Sequence, residues 1–187
     1  MKPKRTITMD KVSLEIDLEK LFGKKISDPG LRRNIAESLI TKIENRTADG
    51  KGVNGNGSEV KLKSPYSNQY ADSPEFKAFG KKKTEINMKL TGSMLSSIDM
   101  INENSKSIEI GIANEEAPKA FNHMTGDTVP QRPFLGLTSG DLDSVKEEYK
   151  DEVGSDQPIT VADVFERKRL ADLARFVMNK NKIGFGQ

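Results

Sequence analysis

A catalytic site in this chain of 187 residues has little to be built from. His123 is its one histidine, so any histidine-based acid, base or nucleophile relay must run through that residue. It falls in a short predicted helix with no nucleophile pattern beside it, and a structural role outweighs a catalytic one. Cysteine is absent, which removes thiolate chemistry and any disulfide framework. One imidazole among scattered carboxylates lacks the clustered ligands of a zinc site, and no twelve-residue calcium loop is present. Asp49-Gly50-Lys51-Gly52 lacks the Gly-x-x-x-x-Gly-Lys-Ser/Thr spacing of a phosphate cradle. The expectation is therefore no metal, no cofactor and no enzymatic reaction. Arg132 is different. Set between Gln131 and Pro133, its forked guanidinium either pairs with a carboxylate, locally or across an interface, or supports its own loop.

The elements around these residues are dense in backbone meaning. Pro130 and Pro133 fix φ and push Val129 and Arg132 toward extended conformations, while Gly126, Gly136 and Gly140 permit turns. Phe134 and Leu135 form an apolar anchor just past the Pro-Gln-Arg-Pro arch. Thr138 stands three residues ahead of Asp141, the start signal of a helix that Leu142 and Val145 continue. The predicted order over 119–145 is short helix, loop, arch, apolar anchor, helix. That arrangement is suited to holding a surface.

Elsewhere the periodicities separate into helix and strand. Val12, Leu14, Ile16 and Leu18 recur every second residue, as in a half-buried strand. Asp28 followed by Pro29 opens a helix running to about Arg46, with Leu31, Ile35, Leu39 and Ile43 on one stripe. Residues 47–60, rich in glycine, read as a long loop, either a surface excursion or an arm that orders against a neighbour. Tyr66, Tyr70, Phe76 and Phe79 suggest a segment packed on the core rather than a base-stacking surface, with a short Ser73-Pro74 helix. Glu85–Leu90 alternates, Gly92–Ile98 is a short helix or turn, and Asp99 begins a further strand. Ser107–Ala113 is the clearest strand, with Ile108, Ile110 and Ile112 inward. The fold expected is α+β: an antiparallel meander packed against a long helix, with an extended loop and a C-terminal helical extension. The helix after the arch, to about Val153, reads as charged and mostly exposed. A linker from Gly154 leads to a capped amphipathic helix, Thr160–Asn179, whose stripe includes Phe165 and Leu173. The expected division is 1–153 and 154–187. The last helix is expected to dock on an adjacent subunit or partner, with docking on its own domain as the alternative.

Composition narrows the function classes. Hydrophobic residues are 34% and charged residues 31%, which suggests much surface for little core, as in a subunit that completes its burial by assembling. A net charge of +2 gives no global field for avid DNA binding. The charges are uneven, however: Lys2, Lys4, Arg5 and the run Lys81–Lys83 are basic, and Asp141–Glu152 is acidic. A nucleic-acid-binding module using the basic N-terminus and Lys81–Lys83 is thus the alternative. The N-terminus lacks the apolar core of a signal peptide, and no stretch approaches the roughly 18 apolar residues of a membrane span. With no cysteine, this fits a reducing cytoplasm.

Three motifs carry a resemblance. Leu90-Thr91-Gly92-Ser93-Met94-Leu95-Ser96-Ser97-Ile98, Phe121-Asn122-His123-Met124-Thr125-Gly126 and Val129-Pro130-Gln131-Arg132-Pro133-Phe134-Leu135-Gly136-Leu137 stand in that order. They resemble a signature of tailed-phage neck and tail-completion proteins, the family of the Mu virion-morphogenesis and lambda-type tail-completion proteins. The likeness covers about residues 30–150, and the run through RPFLG is its most specific part; 151–187 has no counterpart. It implies a structural virion subunit that forms a homo-oligomeric ring, commonly a hexamer, at the head–tail junction. Its partners would be tail-tube and head-connector proteins, with genomic DNA passing without sequence specificity, assembly in the host cytoplasm and no membrane. It also implies interaction or structural roles for Gly92, His123, Gly126, Pro130, Arg132, Pro133, Phe134 and Leu135, with His123 beside the strand and the arch and hydrogen-bonded to backbone.

Overall fold

The computed structural model describes residues 1–62, 65–80, 82–84, 86, 88 and 92–154. In chain order the elements are β1 (Lys4–Ile7), β2 (Val12–Asp17), α1 (Leu18–Phe22), α2 (Pro29–Ala48), β3 (Lys51–Val53), β4 (Glu59–Lys61), α3 (Asn68–Ala71), α4 (Pro74–Ala78), α5 (Ser93–Ser96), β5 (Asp99–Glu103), β6 (Ser107–Ile112), α6 (Ala117–Thr125) and α7 (Ser139–Gly154). The fold is mixed α+β. Its main sheet is antiparallel, in the order β1-β2-β6-β5. Two hairpins, β1–β2 and β5–β6, meet at the central β2–β6 pair, so the sheet is not a simple meander.

Register explains the core. Val12 pairs with Ile112, Leu14 with Ile110 and Ile16 with Ile108, which puts six aliphatic side chains on one face. All six are buried, each contributing roughly 1.5–3 kcal/mol relative to exposure. The opposite face is polar: Ser13 Oγ donates to Glu109 at 2.6 Å, and Lys11 Nζ stands 2.9 Å from the same carboxylate. Against the apolar face lies α2. Asp28 caps it by accepting from the Gly30 N–H at 2.8 Å, and Leu31, Ile35, Ala36, Leu39 and Ile43 are buried along it. Helix α7 lies antiparallel on α2, with Lys42 donating to Ser144, Ser38 to Glu148 and the Tyr149 hydroxyl to the Asn34 carbonyl.

Several expectations require correction. Residues 47–60 are not a long loop: β3 and β4 pair there as a hairpin. Asn54 Oδ1 accepts from the Asn56 and Ser58 amides at 3.0 Å, and Gly57 takes the left-handed φ of 82°. Asn-Gly punctuation of this kind is a hairpin signal. The strand expected over 85–90 is not seen at its described residues. Met88 sits at φ 56°, outside the extended region, although Ile86 and Met88 are both buried. Leu18 leaves the strand and opens α1, capped by Asp17 and ended by Gly23 at φ 79°. The post-arch helix is largely exposed, yet Leu142, Val145, Tyr149 and Val153 are a buried stripe at helical spacing. Lys81 and the expected helix over 160–179, with Phe165 and Leu173, lie outside the described residues. Among the described residues, no helix is long and apolar enough to cross a membrane.

Candidate functional site

The arch gathers most of the singled-out residues. Helix α6 ends at Gly126, whose φ of 80° lies where only glycine is unstrained. A Cβ there would also come 2.9 Å from Gln131 Cβ. The turn this allows brings the arch back over its own helix. The Arg132 N–H donates to the His123 carbonyl at 2.7 Å, and Gln131 Nε2 donates to the Met124 carbonyl at 2.9 Å. Past Pro133 the chain tightens, the Phe134 N–H donating to the Arg132 carbonyl at 2.8 Å. Phe134 and Leu135 are wholly buried, whereas Pro130 and Gln131 are exposed at the tip.

Distant elements brace the same run. The Val53 N–H of β3 donates to the Pro133 carbonyl at 2.8 Å. That approach requires Gly52, because a Cβ at this position would stand 2.3 Å from the Pro133 oxygen. From α2, the Arg46 guanidinium donates to the Gly136 carbonyl and pairs with Asp141 at 2.6 Å. Asp141 in turn accepts from the Thr138 N–H at 2.7 Å, while Thr138 Oγ1 accepts from the Asp141 N–H at 3.1 Å. This is the reciprocal cap expected from their spacing.

Beside the arch opens a cleft of about 210 Å³ lined by Tyr66, Tyr70, Met88, Gly92, Met94, Lys119 and His123, among others. Gly92 adopts φ 91° at its lip and leads into α5. Tyr66, Tyr70 and Phe76 form an aromatic trio with centroids 5.3–5.4 Å apart. Tyr66 and Phe76 are buried, as expected of core packing, but Tyr70 and Phe79 are exposed. The Arg132 guanidinium lies 5.0 Å from the centroid of the Tyr66 ring. Its Nη1 is 3.4 Å from His123 Nδ1, so the imidazole ring faces a side chain, not the backbone partner expected for it.

These contacts decide what His123 can do. Burial first, then the charges of Arg132 and Lys119, push its pKa down to about 4. It is therefore neutral at neutral pH, and Nδ1 accepts from a guanidinium that does not give up its proton. That nitrogen can position Arg132 and cannot relay a proton through it. Burial also lowers the Arg132 pKa and raises that of Tyr66. Among the described residues, no group of three His, Cys, Asp or Glu side chains could hold a metal ion.

The structure thus brings together Gly92, His123, Gly126, Arg132, Pro133, Phe134 and Leu135, with Pro130 at the exposed tip. Sequence reasoning overlooked Arg46, Gly52 and Lys119. Arg46 had a signal: it continues the Leu39–Ile43 stripe by three residues, which places a cation on the buried side of α2. Gly52 had another, since a lone glycine in a strand marks close backbone approach. Comparisons with family models, curated proteins and solved structures found no match to this chain.

Proposed function

We propose that this chain is a structural subunit of a phage neck or tail, assembling into a ring, commonly of six copies, that completes the tail or joins it to the head connector. The observation carrying this reading is the run Val129–Leu137. It has the spelling of the tail-completion motif, and it is braced from α6, β3 and α2 while its tip at 127–131 stays largely exposed. A stiff presented tip with an inert neutral histidine behind it suits docking, not turnover. The apolar content of 34% supports a subunit that completes its burial by association. On this reading the location is the virion head–tail junction, the partners are further copies, tail-tube and connector proteins, and DNA passes unread. Sedimentation velocity of the full chain, alone and with candidate tail and connector proteins, tests the proposal. A ring-sized species or a stable complex is expected. A strict monomer that joins none of them, and that binds short duplex DNA with a steep salt dependence, overturns the reading in favour of a nucleic-acid module.

A further inference from the structure

A second cavity, of about 230 Å³, lies between β1 and the β3–β4 turn, away from the cleft at His123. Leu14 and Leu137, both nearly inaccessible, form an apolar floor, and Gly55 and Gly57 of the hairpin turn line one side. Arg5 and Lys2 supply the charge.

Arg5 is the unusual member. It sits on the inner face of the sheet, opposite Leu14, and is half-buried. Its guanidinium is held close to Gly136 and Val53: a Cβ on Gly136 would come 2.8 Å from Arg5 Nη2 and 2.6 Å from Val53 Cβ. Within the described residues its one hydrogen bond is a long one, 3.4 Å, to the Val53 carbonyl, and no carboxylate pairs with it. Arg46, Arg32 and Lys11 each have a carboxylate within 3 Å. Desolvating a cation without a counter-charge is costly, and burial lowers the Arg5 pKa accordingly. Among the described residues Lys2, at the rim, likewise has no acidic partner, and the Gly55 amide makes no hydrogen bond.

We infer that Arg5, Lys2 and the Asn54–Gly57 turn form a binding site for a carboxylate on a short apolar stem, of the kind presented by a glutamate side chain or chain terminus of a partner protein. The guanidinium offers a planar fork that matches a planar carboxylate, and the leucine floor receives the stem. A phosphate would meet the same cations but leave the floor uncovered. The inference does not rest on ring formation.

Butyrate reproduces a glutamate side chain from Cα outward and serves as the probe, with sodium chloride matching ionic strength. In ¹H–¹⁵N spectra of the full chain, butyrate should move the Gly55 and Gly57 amides and the Arg5 Nε–H saturably, with a midpoint on the order of millimolar. Arg5→Met should remove the response, and Lys2→Gln should raise the midpoint several-fold. The site is refuted if no saturable shift appears, if Arg5→Met responds like the parent, or if inorganic phosphate binds more tightly than butyrate. Should Arg5→Met fail to fold, the parent titration and Lys2→Gln decide the question.

Discussion

The arch and the β3–β4 hairpin are both connections rich in turn residues, yet they are held in opposite ways. In the hairpin, one asparagine side chain organises the turn, accepting from two amides within four residues of itself. Its glycines Gly55 and Gly57 face open space. In the arch, bonds back to α6 within nine residues are joined by contacts from far along the chain: Arg46 bonds Gly136 across 90 residues and Asp141 across 95. The tip of the hairpin is therefore organised locally, although its strand β3 is tied to the arch through Val53, whereas the arch draws its contacts from α2, α6 and β3 together. A connection of the second kind couples the presented tip to the core.

Substitutions can break that contrast, and the largest effect should come from the anchor. Phe134 is fully buried, so Phe134→Ala should cost about 3–5 kcal/mol, read as a lowered denaturation midpoint. A loss under about 1 kcal/mol would mean that the arch is not coupled to the core.

Next in size is Asp141→Ala, which strands the buried Arg46 cation and removes half of the helix cap. A loss of about 3 kcal/mol is expected. Adding Arg46→Met should recover part of it, since the uncompensated charge is then gone. If the double variant is no better than the single, the cost lies in the cap and not in the ion pair.

His123 sharpens the comparison through pH. Its folded pKa, about 4, is below the ordinary 6.5, so the unfolded chain binds the proton more readily. The resulting stability is fully present above about pH 6.5 and is lost as pH falls toward 4, to a limit of about 3 kcal/mol. As this is the one histidine, His123→Asn should flatten the upper part of that acid limb in urea titrations. An unchanged slope between pH 6.5 and 5 would show that the ring is solvated and that the arch does not cover it.

The smallest effects belong to the hairpin. Gly57→Ala, at a left-handed φ with open space around it, should cost about 1 kcal/mol from strain alone. Gly55→Ala, with no such φ, should lie between no change and a gain of about 0.5 kcal/mol. A large loss at Gly55 would mean that this turn, too, is braced from a distance.

Much of the fold was legible because its signals are short-range. Asp28-Pro29 and a stripe repeating every four residues define α2, and alternating isoleucines define β6. Thr138 and Asp141, three apart, form the cap their spacing implies. The order of helix, arch, anchor and helix follows from proline and glycine chemistry that acts within a few residues. The hairpin at 51–61 has an equally local signal in Asn54-Gly55-Asn56-Gly57, where Asn-Gly turn chemistry outweighs the glycine content that suggests a long loop. What only the tertiary structure decided is which distant groups meet. Nothing local to Gly52 specifies that its α-carbon must admit the Pro133 carbonyl, and nothing local to Arg46 or Arg5 says that one finds an aspartate and the other does not. The protonation state of His123 was equally beyond the sequence. Burial and the neighbouring cations Arg132 and Lys119 set it, and both follow from how separate elements pack.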